Sequence, residues 1–371
     1  MDKSVIFAVA GAGKTTRIVN GLNLERRFLL LTYTDNNFVN LRRKIVAKFG
    51  YMPPNIVLKT YFSFLHSFCF RPFLAMAWRT RGVTFNPPSM WAGGRAGAQA
   101  REYYVDGAQR LYHNRIARLI AAERAMDDVA ARIEKYFDVV CIDEVQDIGG
   151  HDFDLVLGLC RCNVDILLVG DFFQHTFVTS HDRGKNAGLH DNYEKYKKHF
   201  ADAGLRVDTT SLAKSHRCSP TICDFIQEHL GIHIQSHSDL ATEARLLGTQ
   251  EDANRMHANA NTIKLFYNKH HDYGCYSQNW GGSKGDDHHT DVCVVLNETA
   301  YKAFIAKRLR EAAPLTRNKL YVAFSRARGN LYLLTERLLA GFKFAHPTTP
   351  TVAVVAKRRG PKRKKAGTAR R

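Results

Sequence analysis

Long apolar runs are missing from this 371-residue chain. The nearest approach to a membrane span, residues 61–78, is interrupted by His66 and Arg71, so no transmembrane helix is expected. No secretory leader is expected either, because Met1-Asp2-Lys3-Ser4 leads straight into a short apolar strand. The eight cysteines show no disulfide-framework spacing, which points to a reducing, intracellular compartment, the cytoplasm or a nucleus. Neither Cys160-x-Cys162 nor the group Cys275, His288, His289 and Cys293 has a recognised zinc-ligand spacing, so these residues are expected to pack rather than hold a structural metal. Acidic residues are the other shortage: 35 Asp and Glu face 54 Lys and Arg, a formal net charge of +19. Nine of the last fifteen residues are Lys or Arg and none is acidic, so about half of that excess lies on the rest of the chain. A charge spread in this way calls for a polyanionic partner, most simply nucleic acid. No basic amphipathic helix stands out to favour a membrane surface instead.

What is present is a globular composition, 45% apolar and 24% charged, with length enough for two domains. The chain is organised around Ala8-Val9-Ala10-Gly11-Ala12-Gly13-Lys14-Thr15, which follows an apolar run at 5–9 and precedes a helical pattern at 16–24. Strand, glycine-rich turn and helix start are the context of a phosphate-binding loop. Small residues let successive backbone N–H groups curl around a phosphate, and the helix terminus adds partial positive charge. Lys14 is then expected to reach the β- and γ-phosphates and the Thr15 hydroxyl to ligate Mg²⁺.

Downstream, 28–32 and 56–60 read as buried strands, with an amphipathic segment at 38–49 between them. Their ends, Thr32-Tyr33-Thr34 and Thr60-Tyr61-Phe62, carry the hydroxyl and aromatic groups that suit single-stranded nucleic acid. Between about 72 and 130 the pattern becomes that of a helical insertion: Trp91-Ala92-Gly93-Gly94-Arg95 separates helical segments, of which 101–126 is the clearest. The strand pattern resumes at 137–142 and ends in Asp143-Glu144-Val145-Gln146-Asp147; the next strand, 164–169, ends in Gly170-Asp171-Phe172-Phe173-Gln174. Adjacent carboxylates at a strand end are costly unless they meet a cation. Asp143 is therefore assigned to Mg²⁺ and Glu144 to the water that attacks the γ-phosphate, with Gln174 as γ-phosphate sensor. Further strands are expected at 291–296 and 330–335, with a helix at 316–328. Strands alternating with helices imply parallel α/β sheets.

These motifs, in this order, resemble motifs I, II and III of the UvrD/Rep-like superfamily 1 DNA helicases. Thr32-Tyr33-Thr34-Asp35 resembles motif Ia and Thr60-Tyr61-Phe62-Ser63-Phe64 the Thr-Phe-His-Ser element, with Phe62 in the His position. Leu212-Ala213-Lys214-Ser215-His216-Arg217-Cys218 resembles motif IV, Asn279-Trp280-Gly281-Gly282-Ser283-Lys284-Gly285 motif V, and Tyr321-Val322-Ala323-Phe324-Ser325-Arg326-Ala327 motif VI. The resemblance covers roughly 3–336. It implies two RecA-like domains, 1–212 and 213–345, closing on ATP and Mg²⁺; the Lys/Arg-rich tail at 346–371 lies outside the resemblance and is expected to be disordered. It assigns Glu144, Gln174, Arg217 and Arg326 to catalysis and Ala10, Gly11, Ala12, Gly13, Lys14, Thr15, Thr16, Arg17, His216, Gly285 and Asp287 to the nucleotide. Thr15 and Asp143 take the metal, and Thr32, Tyr33, Thr34, Thr60, Tyr61, Phe62 and Lys284 take the DNA. It further implies single-stranded or tailed duplex DNA as partner, alongside replication or repair proteins, and 3′→5′ stepping.

The chain departs from the family in several places. The adenine-selecting Gln motif is not seen between Met1 and the loop, Thr16 stands where an Arg usually follows the loop Thr, Gly281 stands at the usual His of motif V, His216 replaces the stacking Tyr, and only about sixty residues separate motifs IV and V, too few for the large second insertion. A viral-type superfamily 1 RNA helicase and a nucleic-acid-binding protein with a decayed ATPase are the competing readings.

Overall fold

The computed structural model describes residues 1–88, 97–176, 185–186 and 188–344. The glycine-rich separator at 91–95 and the basic tail at 346–371 lie outside the described residues. Among the described residues no helix is long and apolar enough to cross a membrane.

Six strands build the first sheet: β1 (Lys3–Phe7), β2 (Phe28–Thr32), β3 (Ile56–Thr60), β4 (Val139–Asp143), β5 (Asp165–Gly170) and β6 (Arg206–Asp208), in the order β3-β2-β4-β5-β1-β6. Every pairing is parallel. Parallel sheets are covered on both faces, and the sequence accounts for this residue by residue. Leu29 and Leu31 enter one core with Val140, Ile142 and Leu168, whereas Phe28 and Leu30 enter the other with Val139, Cys141 and Val169. Leu29, Leu30 and Leu31 are all fully buried, each contributing about 1.5–3 kcal/mol from apolar burial.

The second sheet has five strands, β7 (Ala244–Leu247), β8 (Ile263–Phe266), β9 (Ser277–Asn279), β10 (Val292–Leu296) and β11 (Leu331–Thr335), ordered β7-β11-β10-β8-β9 and again wholly parallel. Val292 and Val294 face one core while Cys293 and Val295 face the other. The fold class read from the sequence, α/β with two RecA-like parallel sheets, is the class observed.

The insertion differs from its reading. Helices at Arg71–Trp78, Ile116–Ala122 and Met126–Tyr136 are present, but 101–126 is not one helix. It holds a single turn, Arg101–Tyr104, and a strand, Arg110–Tyr112, paired in parallel with Gly82–Thr84. The cause is local: Asp106 Oδ1 accepts from the backbone N–H of Ala108 and Arg110, an Asx turn with Gln109 at φ 62°.

The carboxyl ends of β1, β4 and β5 coincide, since Phe7 pairs with Gly170 and Asp143 with Val169. Ligands of open α/β sheets bind outside these ends, where the chain order changes direction.

Candidate active site

At the end of β1 the loop turns through Gly11 (φ 73°) and Gly13 (φ 87°) into the helix Lys14–Gly21. No side chain caps that helix, so its first N–H groups are left for an anion. Gly11 is also a close approach: a Cβ there would sit 2.7 Å from Arg217 Cβ and 2.8 Å from Ser215 Oγ. The loop and the second half of the molecule therefore touch, and His216 N donates to Gly11 O at 3.0 Å.

Lys14 is buried, its Nζ 3.7 Å from Glu144 Oε1. Thr15 Oγ1 donates to Asp143 Oδ2 at 2.9 Å, whereas the buried Asp143 Oδ1 has no hydrogen-bond partner. A carboxylate oxygen orphaned beside a threonine hydroxyl and a phosphate-binding turn fits a hard divalent cation completed by phosphate oxygens and water. Burial, helped by Glu144, pushes the Asp143 carboxyl up to about 6. Glu144 goes the other way. Burial raises it, but Lys14, Lys284, a hydrogen bond from Gln146 and Arg326 outweigh burial, and the net shift is downward, so it is ionised at neutral pH. Its backbone sits in the left-handed region at φ 59°, and its side chain accepts from Gln146 Nε2 at Oε2, 2.6 Å away.

Gln146 Oε1 in turn accepts from Asp171 N at 2.9 Å, and Gln174 Nε2 donates to Asp171 Oδ2 at 2.7 Å. The same carboxylate oxygen accepts from the Tyr321 hydroxyl at 3.2 Å, and that hydroxyl accepts from Ala10 N at 2.8 Å. Tyr321, on the helix Pro314–Phe324, is thus threaded beneath the phosphate loop.

The arginines arrive from the second half. Arg217 follows the short strand Lys214–Ser215; its Nη1 donates to Ser325 O at 3.0 Å, its Nη2 pairs with Asp287, and its buried Nε has no hydrogen-bond partner. Arg326 is 1% exposed, anchored by Nε to Val322 O at 3.1 Å and by Nη1 to Asp286 O at 2.9 Å, and it lies 3.8 Å from Asp287. Burial and the charge of Arg217 lower its guanidinium to about 10, still cationic at pH 7.

One cleft of about 650 Å³ gathers Gly11, Ala12, Gly13, Lys14, Thr15, Glu144, Gln174, His216, Arg217, Lys284, Gly285, Asp287 and Arg326. Asp143 reaches it through Thr15. Ala10 is fully buried behind it, while Thr16 and Arg17 point to solvent, Thr16 Oγ1 accepting from Lys44 Nζ at 3.2 Å. His216 stacks on His237, with ring centres 4.1 Å apart and planes 6° from parallel. Lys284, expected on DNA, donates to both oxygens of the buried Asp147 at 2.6 and 2.8 Å.

The strand-end residues expected on DNA form a separate group. Thr34 Oγ1 and Thr60 Oγ1 cap helices, accepting from Asn37 N and Ser63 N at 3.2 Å each. Thr32 is 1% exposed and Tyr61 3% exposed, Tyr61 donating to Asp152 Oδ1 at 3.2 Å, so neither side chain faces solvent. Thr32 ends the fully buried strand β2, and Tyr61 opens the helix Tyr61–Phe64 on its inner side. Tyr33 and Phe62 remain half-buried at that edge.

Sequence reasoning passed over Asp171, Tyr321 and Asp147 as working parts, and over Arg43, Lys44 and Arg328, which also line the cleft. Tyr321 and Asp171 stand inside quoted motifs, which was the signal available.

No family model and no curated protein matches the chain. Among solved structures it is similar to the PRRSV helicase, at 13% identity and TM-score 0.48, over 93% of this chain and 54% of that one. It is similar to the arterivirus nonstructural protein 10 helicase, at 13% identity and TM-score 0.49, over 92% of this chain and 62% of that one. The complex of that helicase with DNA gives 12% identity and TM-score 0.47, over 91% and 63%. The chain thus spans between 54% and 63% of these proteins.

Proposed function

We propose that this chain is a superfamily 1 helicase or single-stranded DNA translocase that couples ATP hydrolysis to 3′→5′ movement and unwinding. The observation that supports it best is the meeting of Arg217 and Arg326, from the second half, with Lys14 and Glu144 of the first, around one cleft. Two cationic guanidinium groups opposite a phosphate loop suit the charge that builds on a transferring phosphoryl group.

In this reading the phosphates of ATP lie against the loop from Gly11 to Thr15. Thr15 and Asp143 hold Mg²⁺, which when bound neutralises charge on the phosphate oxygens. Glu144 accepts a proton from the water that attacks the γ-phosphorus, the bond to the bridging oxygen breaks, and the diphosphate leaves. Lys14, Arg217 and Arg326 neutralise the oxygens as charge shifts between them. Arg217 exchanges Asp287 for phosphate as it does so. Gln174, tied through Asp171 to Tyr321, couples the occupancy of the γ-position to the second half. His216, backed by His237, offers a flat ring to the base.

Hydrolysis measured alone, with single-stranded DNA and with single-stranded RNA tests this directly. Stimulation by DNA is expected. Stimulation by RNA only transfers the reading to an RNA helicase, and absence of turnover under all three conditions overturns it. Duplexes with 3′ or 5′ tails then report polarity.

A further inference from the structure

The edge of the first sheet beside β3 carries aromatic rings that the nucleotide chemistry does not use. Phe85 is 65% exposed, which is unusual for a large apolar ring. It stacks on His113 with centres 4.8 Å apart and planes 30° from parallel, and meets Phe62 at 5.2 Å. Phe62 heads a row along one helical face: His66 lies 6.1 Å away and 3° from parallel, and Phe70 a further 6.0 Å at 14°. Phe70 is fully buried, so the row is rooted in the core and only its outer rings face solvent. His113 is fixed by its Nδ1 at 3.3 Å from Thr84 O, in the ribbon that also presents Phe85. Burial lowers the pKa of both His66 and His113, and Arg71 adds to the effect at His66, so both rings are neutral aromatics at pH 7.

The chain leading into this ribbon carries charge of one sign. From residue 36 to residue 101 the chain has no Asp or Glu and ten Lys or Arg. Arg71, Arg79 and Arg81 of that stretch are exposed, and Lys59 Nζ sits against Ser67 Oγ at 3.3 Å beside the ring row. Flat neutral rings beside exposed arginines, with the nearby Asp106 already paired to Arg110, match a ligand with a phosphate backbone and π-faced bases.

We propose that Phe85 and His113, continuing from Phe62, form a base-stacking platform for single-stranded nucleic acid on the segment inserted after β3. The proposal rests on the reading of the chain as a nucleic-acid motor and assigns to it a contact surface outside the motifs. The strand's bases lie on the outer rings, and Lys59, Arg71 and Arg81 meet its phosphates.

The test is binding of a fluorescently labelled oligothymidylate to the full chain across a salt series. Phe85→Ala and His113→Ala each weaken affinity roughly five- to hundredfold, the range of one lost stacking contact. Their salt slope equals that of the wild type, because no phosphate contact is removed. Phe85→Trp keeps the affinity, and its emission is quenched when the oligonucleotide binds. Hydrolysis in the absence of nucleic acid is unchanged in all three variants. Affinities of both alanine variants within about twofold of wild type overturn the platform. Wild-type chain that binds no single strand at all overturns the functional reading instead.

Discussion

The Tyr321 hydroxyl joins Ala10 to Asp171, accepting from the backbone N–H of the first at 2.8 Å and donating to the carboxylate of the second at 3.2 Å. Residues 311 positions apart are thereby tied directly under the phosphate loop. Tyr321→Phe leaves a buried N–H and a buried carboxylate each one partner short, at a cost of about 1–3 kcal/mol. Urea unfolding at neutral pH checks it, and a midpoint equal to wild type would show that the bonds contribute nothing.

Lys14→Ala removes the only buried ammonium in the cleft among the described residues and is expected to abolish hydrolysis while most single-strand affinity remains. Glu144→Gln keeps the shape and removes the base, lowering kcat by about 10²–10⁴ with nucleotide affinity retained. Steady-state hydrolysis together with binding of a fluorescent nucleotide separates the two effects.

Arg217→Ala and Arg326→Ala should each lower kcat by about 10³ or more, the scale of an arginine finger. Their structural consequences differ. Arg217 has one carbonyl partner, Ser325, and the rim carboxylate of Asp287, whereas Arg326 is fully buried on the carbonyls of Val322 and Asp286, so Arg326→Ala should lower the unfolding midpoint more.

Asp143→Asn separates stability from function. The carboxyl is pushed up to about 6 by burial, so ionisation at pH 7 costs the metal-free chain of order 1–3 kcal/mol. The variant should unfold later than wild type without Mg²⁺ and hydrolyse nothing with it, as paired thermal scans and turnover assays would record.

Stability should also carry a histidine signature. His175 and His190 stack with centres 3.6 Å apart, and burial lowers their pKa values to about 4 and about 3. Unfolding returns both to about 6.5, so between there and about 4 the unfolded chain binds protons that the folded one refuses. Their contribution is present above pH 6.5 and is lost as the pH falls through that window. Asp143 and Asp147, both raised to about 6, act with the opposite sign between about 3.8 and 6. The comparison that isolates the histidines is therefore His190→Phe, which should lose less stability than wild type between pH 7 and pH 5.

The readable parts of the molecule were those whose chemistry is local. Lys14 and Thr15 follow their glycine turn, Asp143 and Glu144 end their strand, and alternation along β2 and β10 places each side chain on a face. Pairings across hundreds of residues left no local trace: Lys284 on Asp147, Tyr321 under Ala10, His237 behind His216. Residues 101–126 were misread because apolar spacing outweighed Asp106-Gly107, a turn signal that broke the helix. The burial of Thr32 and Tyr61 was not legible either, because hydroxyls and rings at a strand end suit solvent and core equally well.

Gly11 has no side chain, and Arg217 and Ser215 occupy the space one would fill. The roof of the cleft therefore rests on its floor with less than a methyl group of clearance. A single added carbon, in Gly11→Ala, would act as a doorstop: under the proposed function the two halves should still receive a nucleotide but not shut on it, leaving a molecule that loads and never fires.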